Sequence, residues 1–464
     1  MAAKTIAAIS TPPGKGGVAV IRISGDDAFA IARSVFLPRS AKAREIFPKR
    51  VPVWGDILHS GEPIDDGLLT FFPAPNSYTG EDMAEISCHG GTLITAKVLE
   101  AVLIAGAAPA ERGEFTRRAF LSGKLTLTEA EAIGLVLDAR SDAQIKLCRA
   151  GSRGRLASEI DSIRSSITSL LSSLYARIDY PEEDLGDFTD GETVNELSSL
   201  ISRAEALIST YKTGHAISEG IRTVICGKPN VGKSTLYNLL LLEDAAIVTD
   251  VPGTTRDVLE SSVALGDVML KISDTAGIRG GEVDTVERIG ICRSVERIEN
   301  AELIIALFDS SREPDDEDMH VAQLLREASA PCLAVITKTD SDAYSERIKE
   351  MLCGIATDGI LHISAKARAD EARKCLVDAV AGLFKDEKIS IGEDAIISSA
   401  RQNAALVRAC DHLKTAKEAF SLGISTDAAS SDIELALGAI AEIDGRAVSE
   451  EVVADIFAKF CVGK

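Results

Sequence analysis

Nothing in this sequence is long and apolar enough to span a bilayer, which takes roughly 20 consecutive residues. Even the run Leu303-Ile304-Ile305-Ala306-Leu307-Phe308 has only the length of a strand. The first ten residues carry one lysine and no extended apolar core, so no signal peptide is apparent and a cytoplasmic setting is expected. Nine cysteines are scattered, odd in number and without a Cys-x-x-Cys pair, which argues against a disulfide frame or a zinc site and fits a reducing compartment. The six histidines form no His-Glu-x-x-His or other metal spacing. An excess of basic residues is also missing. The formal net charge is −21, so the overall field does not attract nucleic acid, and action on RNA would need a local basic patch or a basic partner. No repeat or low-complexity tract is seen.

What is present is ample core material. At roughly 100–200 residues per domain, 464 residues imply two to four domains, and 45% apolar residues suffice to fill them. Three textures follow one another. Residues 1–122 alternate short apolar stretches, such as Val18-Ala19-Val20-Ile21-Arg22-Ile23, with Pro and Gly turns and read as α+β. Residues 123–217 are helical. Ile160, Ile163, Ile167, Leu170, Leu171, Leu174 and Ile178 recur on one face, and Asp179-Tyr180-Pro181 should end that helix because proline disfavours helix in the residue before it. A further helix is expected over 194–211. Residues 218–378 alternate strands (223–226, 269–272, 303–308, 333–336 and 360–363) with helices, the pattern of a doubly wound, mostly parallel sheet. Residues 379–464 return to helix. Ile433, Ala436, Leu437, Ile440 and Ile443 share one face, and Val452, Val453, Ile456, Phe457 and Phe460 another. Helical texture on both sides of an α/β unit suggests one helical domain with the α/β unit inserted into it.

The clearest chemistry lies in Gly227-Lys228-Pro229-Asn230-Val231-Gly232-Lys233-Ser234, a strand–loop–helix phosphate-binding loop. Its glycines let backbone N–H groups turn toward phosphate oxygens, and the helix N-terminus adds partial positive charge. Lys233 should reach the β and γ phosphates, Ser234 should ligate Mg²⁺, and Val231, Gly232 and Thr235 complete the cradle. Asp274-Thr275-Ala276-Gly277 follows a strand: Asp274 is placed to hold Mg²⁺ through water, and the Gly277 N–H to sense the γ-phosphate. Thr337-Lys338-Thr339-Asp340 follows another strand. Its Asp340 carboxylate can accept from guanine N1–H and N2–H₂, a donor pair that adenine lacks, so GTP is selected over ATP. Ser364-Ala365-Lys366 supports the base. Thr337 stands where this motif usually has Asn, which should weaken one loop-tying contact.

Ras-like GTPases orient the attacking water with a Gln after Asp-x-x-Gly; here that position is Ile278. Either hydrolysis is very slow or another group acts. The loop 249–257 is the expected switch, with Thr255 as the second Mg²⁺ ligand. Asn230, inside the phosphate loop, could join loop carbonyls in holding a monovalent cation, and K⁺ there would supply the charge that an arginine finger otherwise gives. Glu287 is a candidate to orient water, or a solvated helix residue.

These residues, together with those at both termini, resemble the MnmE (TrmE) family of tRNA-modification GTPases along the whole chain. The resemblance rests on Thr11-Pro12-Pro13-Gly14-Lys15-Gly16-Gly17-Val18, Arg22-Ile23-Ser24-Gly25, Pro75-Asn76-Ser77-Tyr78-Thr79-Gly80-Glu81-Asp82, His89-Gly90-Gly91, Gly113-Glu114-Phe115-Thr116, Ala119-Phe120-Leu121, Lys124-Leu125, Gly253-Thr254-Thr255-Arg256-Asp257 and Phe460-Cys461-Val462-Gly463-Lys464. It implies an N-terminal folate-binding domain that also forms a homodimer, and a helical domain interrupted by an inserted Ras-like G domain. It implies joint action with the flavoprotein MnmG to install an aminomethyl or carboxymethylaminomethyl group at C5 of the wobble uridine of certain tRNAs. The one-carbon donor would be a tetrahydrofolate (5,10-methylene- or 5-formyl-tetrahydrofolate). By position, the resemblance assigns folate contacts to Arg22, Glu81, Lys124 and Lys464, K⁺ ligation to Asn230, Thr249, Val251 and Thr254, and Mg²⁺ ligation to Ser234 and Thr255. It assigns catalytic roles to Glu287 and Cys461.

Read without the family, Arg22 and Glu81 form a surface ion pair of about 0–1 kcal/mol, and Cys461, beside Phe460, is a small buried apolar residue. Cys88 and His89 read as packing residues. The competing function is a ribosome-assembly GTPase or other RNA-binding switch, but such proteins usually append a basic RNA-binding domain. This chain ends instead in an acidic helical region and a Cys-Val-Gly-Lys tail.

Overall fold

Successive side chains of a strand leave opposite faces, and the segment Val18–Ser24 shows it: Ala19, Ile21 and Ile23 are buried while Arg22 stands on the other face. The computed structural model describes residues 4–180, 190–241, 261–272, 300–341, 343–353, 357–364 and 368–464. Its chain divides into two compact units, Met1–Leu137 with Ser152–Arg164 and Leu437–Lys464, and Asp138–Gly151 with Ser165–Ala436.

The first unit holds strands β1 (Ile6–Ile9), β2 (Val18–Ser24), β3 (Phe36–Pro38), β4 (Val53–His59), β5 (Glu62–Phe72), β6 (Met83–His89) and β7 (Ala108–Pro109). They form one sheet in the order β3-β4-β5-β6-β2-β1-β7. Every neighbouring pair is antiparallel except β1 with β7. Helices Ala28–Ser34 and Thr92–Ile104 cover one face, enclosing Ile21, Ile23, Ile57, Leu69, Ile86 and Val98. The C-terminal helix Glu450–Ala458 starts at Ser449, whose side chain accepts from the Val452 N–H. Val453, Phe457 and Phe460 are buried against Leu127 and Ala130. Val452, expected on that stripe, is instead 36% exposed.

The second unit holds β8 (Ile221–Cys226), β9 (Ser261–Leu265), β10 (Val268–Ile272), β11 (Leu303–Asp309), β12 (Cys332–Thr337) and β13 (Gly359–His362), ordered β13-β12-β11-β8-β10-β9. All pairs are parallel except β9 with β10. The five expected strands are present; β9, the outer strand of a short hairpin, was not anticipated. Every residue of β11 and β12 is buried, as a parallel sheet covered on both faces requires. Ile305, Leu307 and Val335 pack with helices Lys233–Leu241 and Ala369–Phe384. On the opposite face Ile304, Phe308 and Ile336 pack with helices Asp316–Glu327 and Ser345–Leu352.

The helix Arg155–Asp179 stops where proline approaches. The expected helix over 194–211 is found as Asp190–Ser209, followed by Tyr211–Ser218. Asp190–Ser209 lies alongside Ala400–Ser421, with Lys414 Nζ 2.8 Å from Glu205 Oε1. Segments from before and after the sheet therefore share one helical layer, the inserted arrangement read from the sequence. Among the described residues no helix is long and apolar enough to cross a membrane.

Candidate functional site

The phosphate-type loop leaves β8 in the interior of the second sheet and runs into the helix Lys233–Leu241. Three of its residues have positive φ, Gly227 (140°), Asn230 (62°) and Gly232 (113°). At Gly227 a side chain would meet the Leu307 carbonyl at 2.7 Å, so only glycine lets the loop lie this close to β11. Lys233 Nζ donates to the carbonyls of Gly227 at 2.5 Å and Lys228 at 2.9 Å, which folds the ammonium over the loop. Val231 is fully buried, Thr235 is half-buried, and Ser234 and Asn230 are exposed at the loop's open side. A curled backbone, an ammonium over it and an exposed hydroxyl at the first helical turn suit a phosphate with a hard cation.

The second loop follows β12. Thr337 Oγ1 donates its one proton toward the Val231 carbonyl at 2.7 Å, with the Phe308 carbonyl sharing it at 3.1 Å. The Thr337 hydroxyl thus ties the base-side loop to the phosphate loop. Lys338 has φ 58° and ion-pairs with Asp309 at 2.6 Å. Asp340 lies exposed in the turn Thr339–Ser341, and its Oδ1 accepts from Ser364 Oγ at 2.8 Å. Asp309 is almost wholly buried. Burial pushes its carboxyl up, but the Lys338 ammonium and the Ser311 hydroxyl and N–H more than offset this and hold it below the usual range. Lys228, in the phosphate loop, is also buried. Burial lowers its ammonium, but contacts with Asp318 and Asp315 win and raise it.

The four folate candidates lie in the first unit. Arg22 on β2 faces Glu85 on β6; its Nε and Nη2 donate to Glu85 Oε1 at 3.0 and 2.9 Å, and Nη1 to the Gly463 carbonyl at 3.4 Å. The guanidinium sits 5.2 Å from the Tyr78 ring centre and 5.6 Å from that of Phe115. Arg22 therefore does not pair with Glu81, as a bare surface pair would. Glu81 accepts from Ser24 Oγ at 2.8 Å and Arg118 Nη1 at 3.0 Å. Lys124 Nζ donates to the carbonyls of Pro75, at 3.2 Å, and Ser77. Lys464 lies near Arg22 and Cys461: burial, then the Arg22 charge, lowers its ammonium below the usual lysine range. Cys461 is exposed, not the buried apolar residue that its neighbour Phe460 suggested. Cys88 is buried as expected, but His89 is exposed, with Nδ1 2.7 Å from Asp65 Oδ1.

Thr249, Val251, Thr254, Thr255, Asp274, Thr275, Ala276, Gly277, Glu287, Ala365 and Lys366 lie outside the described residues. Sequence reasoning missed Glu85, Arg118, Lys228, Asp309, Asp315 and Asp318. For Glu85 the signal was there, since alternation on the strand 83–89 places it on one face with Ser87; the rest needed tertiary structure.

A parallel sheet whose interior strand feeds a phosphate-type loop, tied to a carboxylate-bearing loop beyond a second strand, defines a P-loop nucleotide-binding protein. Residues 5–124 match the family model described as GTP-binding protein TrmE N-terminus, and residues 127–461 match the MnmE helical domain. The chain belongs to the MnmE family of tRNA modification GTPases. It is 38% identical over 464 residues to the tRNA modification GTPase MnmE of Thermotoga petrophila, covering 99% of this chain and 100% of that protein. To the tRNA modification GTPase MnmE of Carboxydothermus hydrogenoformans it is 37% identical, covering 99% of each. A solved translation elongation factor SelB from Methanococcus maripaludis matches 36% of each chain at 23% identity with a TM-score of 0.26, too distant to bear on fold or function.

Proposed function

We propose that the chain hydrolyses GTP and, through that cycle, modifies tRNA. The observation that carries this is the Thr337 Oγ1 bond to the Val231 carbonyl, which joins the phosphate loop and the Asp340 loop so that both can serve one nucleotide. Lys233 takes the β and γ phosphates, and Asp340 reads guanine with support from Ser364, Ala365 and Lys366. Ser234, Thr255 and Asp274 would hold Mg²⁺, which would neutralise phosphate charge. Asn230, Thr249, Val251 and Thr254 would hold K⁺, which would supply further positive charge to the phosphates. Glu287 orients the water that attacks.

The N-terminal part, 1–122, binds a reduced folate through Arg22, Glu81, Lys124 and Lys464 and forms a homodimer. The helical domain comprises 123–217 and 379–464, and the G domain 218–378. The folate reading is supported by the grouping of Arg22, Tyr78, Phe115 and the C-terminal tail on one side of the sheet. A reduced folate, when bound, supplies a one-carbon unit. With a flavoprotein partner, MnmG, the product is an aminomethyl or carboxymethylaminomethyl group at C5 of the wobble uridine, made in the cytoplasm. A net charge of −21 fits an enzyme whose RNA contact is shared with a partner.

Two measurements test this. GTP turnover by the purified chain in K⁺ should exceed that in Na⁺, and equal rates would remove the monovalent cation. Nucleoside analysis of tRNA from cells lacking the chain should show the wobble uridine without its C5 group. An unchanged wobble uridine would defeat the modification reading and leave GTP hydrolysis standing.

A further inference from the structure

The segment that leaves β11 lies between the strands carrying the two nucleotide loops, since β11 pairs with β8 on one side and β12 on the other. It touches both loops. Toward the phosphate loop, the Lys228 side chain is only 3% exposed, and its ammonium contacts Asp318 and, at 2.9 Å, Asp315 Oδ2. Both carboxylates are fixed by backbone. Asp315 caps the helix Asp316–Glu327 by accepting from the Glu317 and Asp318 N–H groups, and Asp318 accepts from the Asp315 N–H in return. Asp318 Oδ1 is buried with no hydrogen-bond partner among the described residues, so Lys228 is the charge that compensates it. Arg312 Nη2 adds a bond to the Pro229 carbonyl at 3.2 Å.

Toward the base-side loop, Ser310 donates to the Thr337 carbonyl from both its N–H, at 3.1 Å, and its Oγ, at 2.8 Å. The Asp309 carboxylate is 1% exposed. Its Oδ1 accepts from the Ser311 N–H and Oγ at 3.0 and 2.6 Å, and its Oδ2 from Lys338 Nζ. Lys338 is held at φ 58°, a conformation that side chains other than glycine resist and that persists only where neighbours enforce it.

We propose that residues 309–318 are a positioning strap that sets the phosphate loop and the base-reading loop from one stretch of backbone, with Lys228 and Asp309 as its anchoring residues. This rests on the nucleotide site proposed above. Neither anchor needs to touch nucleotide: Lys228 acts through the loop backbone, and Asp309 through Lys338, which adjoins Thr337 and precedes Asp340 by two residues.

The test is competition binding of GDP and inosine diphosphate to the full-length protein. Inosine lacks the 2-amino group that Asp340 would accept from, so the ratio of the two affinities reports the base-reading loop alone. The double variant Lys228→Met/Asp318→Asn removes the buried pair and leaves only the Asp315 carboxylate without its ammonium, a group that is 53% exposed and still accepts from the Glu317 and Asp318 N–H groups. It should weaken both ligands equally, by about tenfold, a loss of about 1.4 kcal/mol, while Lys228→Arg should stay within about threefold of wild type, or about 0.7 kcal/mol. Asp309→Asn should weaken GDP by about tenfold but inosine diphosphate less, so that the ratio shrinks by about threefold or more. Arg312→Met, at a side chain 46% exposed, removes both the Pro229 contact and the ion pair from Arg312 Nε to Asp309 Oδ2 at 3.2 Å, and should speed GDP release severalfold. If Asp309→Asn leaves the ratio unchanged and Arg312→Met leaves release unchanged, the strap is overturned, whether or not the double variant folds. Wild-type protein that ignores GDP would instead defeat the nucleotide site itself.

Discussion

Ser364 donates its hydroxyl to Asp340 Oδ1 at 2.8 Å from a position that is 92% buried, so a fixed donor orients an exposed carboxylate. A group that must meet a base edge gains from both properties: an oxygen held from behind, and a side chain that lies at the surface. Charged hydrogen bonds contribute about 1.5–3 kcal/mol each. Two of them, to guanine N1–H and N2–H₂, make a difference of roughly 100-fold or more in affinity.

Asp340→Asn should therefore lower GTP affinity by about 100-fold or more. It should raise affinity for xanthosine triphosphate, whose O2 accepts from the new carboxamide where the 2-amino group of guanine would meet it as donor against donor. Competition of both nucleotides against a fluorescent guanine nucleotide measures this. A variant that still prefers GTP would remove Asp340 from base reading.

What could be read in advance follows from how local each signal is. The strands β11 and β12 are buried on both faces, so they stand out as unbroken apolar runs, and the phosphate loop is a spacing within eight residues. β9, Ser-Ser-Val-Ala-Leu, is short and opens with two serines, so it carried no such run. The pairing of Arg22 with Glu85 depends on the β2–β6 register across 63 residues of chain, and Glu81, which lies in a recognisable motif, belongs in the fold to Arg118. Lys228 is the sharpest case. A lysine in a loop reads as solvated, and nothing local announces that Asp315 and Asp318, nearly ninety residues on in sequence, bury it.

Gly463 has φ 92°, and a Cβ there would stand 2.3 Å from the Ile9 carbonyl oxygen. Its own carbonyl accepts from Ser10 Oγ at 3.0 Å and from Arg22 Nη1. Gly463→Ala adds about 1–3 kcal/mol of backbone strain and a clash with backbone that cannot be relieved by a rotamer. The tail should leave its seat beside β1. Amide hydrogens of residues 459–464 should then exchange faster and tRNA modification should fall, while GTP turnover holds. Unchanged exchange would show that the tail is not seated by this residue.

Thiol accessibility separates Cys461 from most other cysteines. Burial pushes the Cys88, Cys148 and Cys332 thiols up to about 11, leaving little thiolate at neutral pH. Cys461, Cys353 and Cys375 are exposed. Brief iodoacetamide treatment should label these three ahead of the buried ones. Cys461→Ser should retain GTP turnover and lose tRNA modification; full modification by that variant would exclude the thiol from the chemistry.

Burial and the neighbouring Arg22 charge depress the Lys464 ammonium below its ordinary value of 10.5. The unfolded chain therefore binds more protons than the folded one between the depressed value and 10.5, and stability from this group rises with pH across that window. At neutral pH, below the window, the charged lysine is a net cost to docking the tail. Lys464→Met should raise the thermal midpoint at pH 7, and the gain should shrink to nothing by about pH 10.5. The same substitution should weaken a reduced folate, because a cation that is costly when the site is empty gains a carboxylate partner when the ligand arrives. Melting curves from pH 7 to 11 and folate titrations of the two proteins decide it. If Lys464→Met lowers the midpoint at neutral pH, the lysine stabilises the tail and is not held in reserve for an anion.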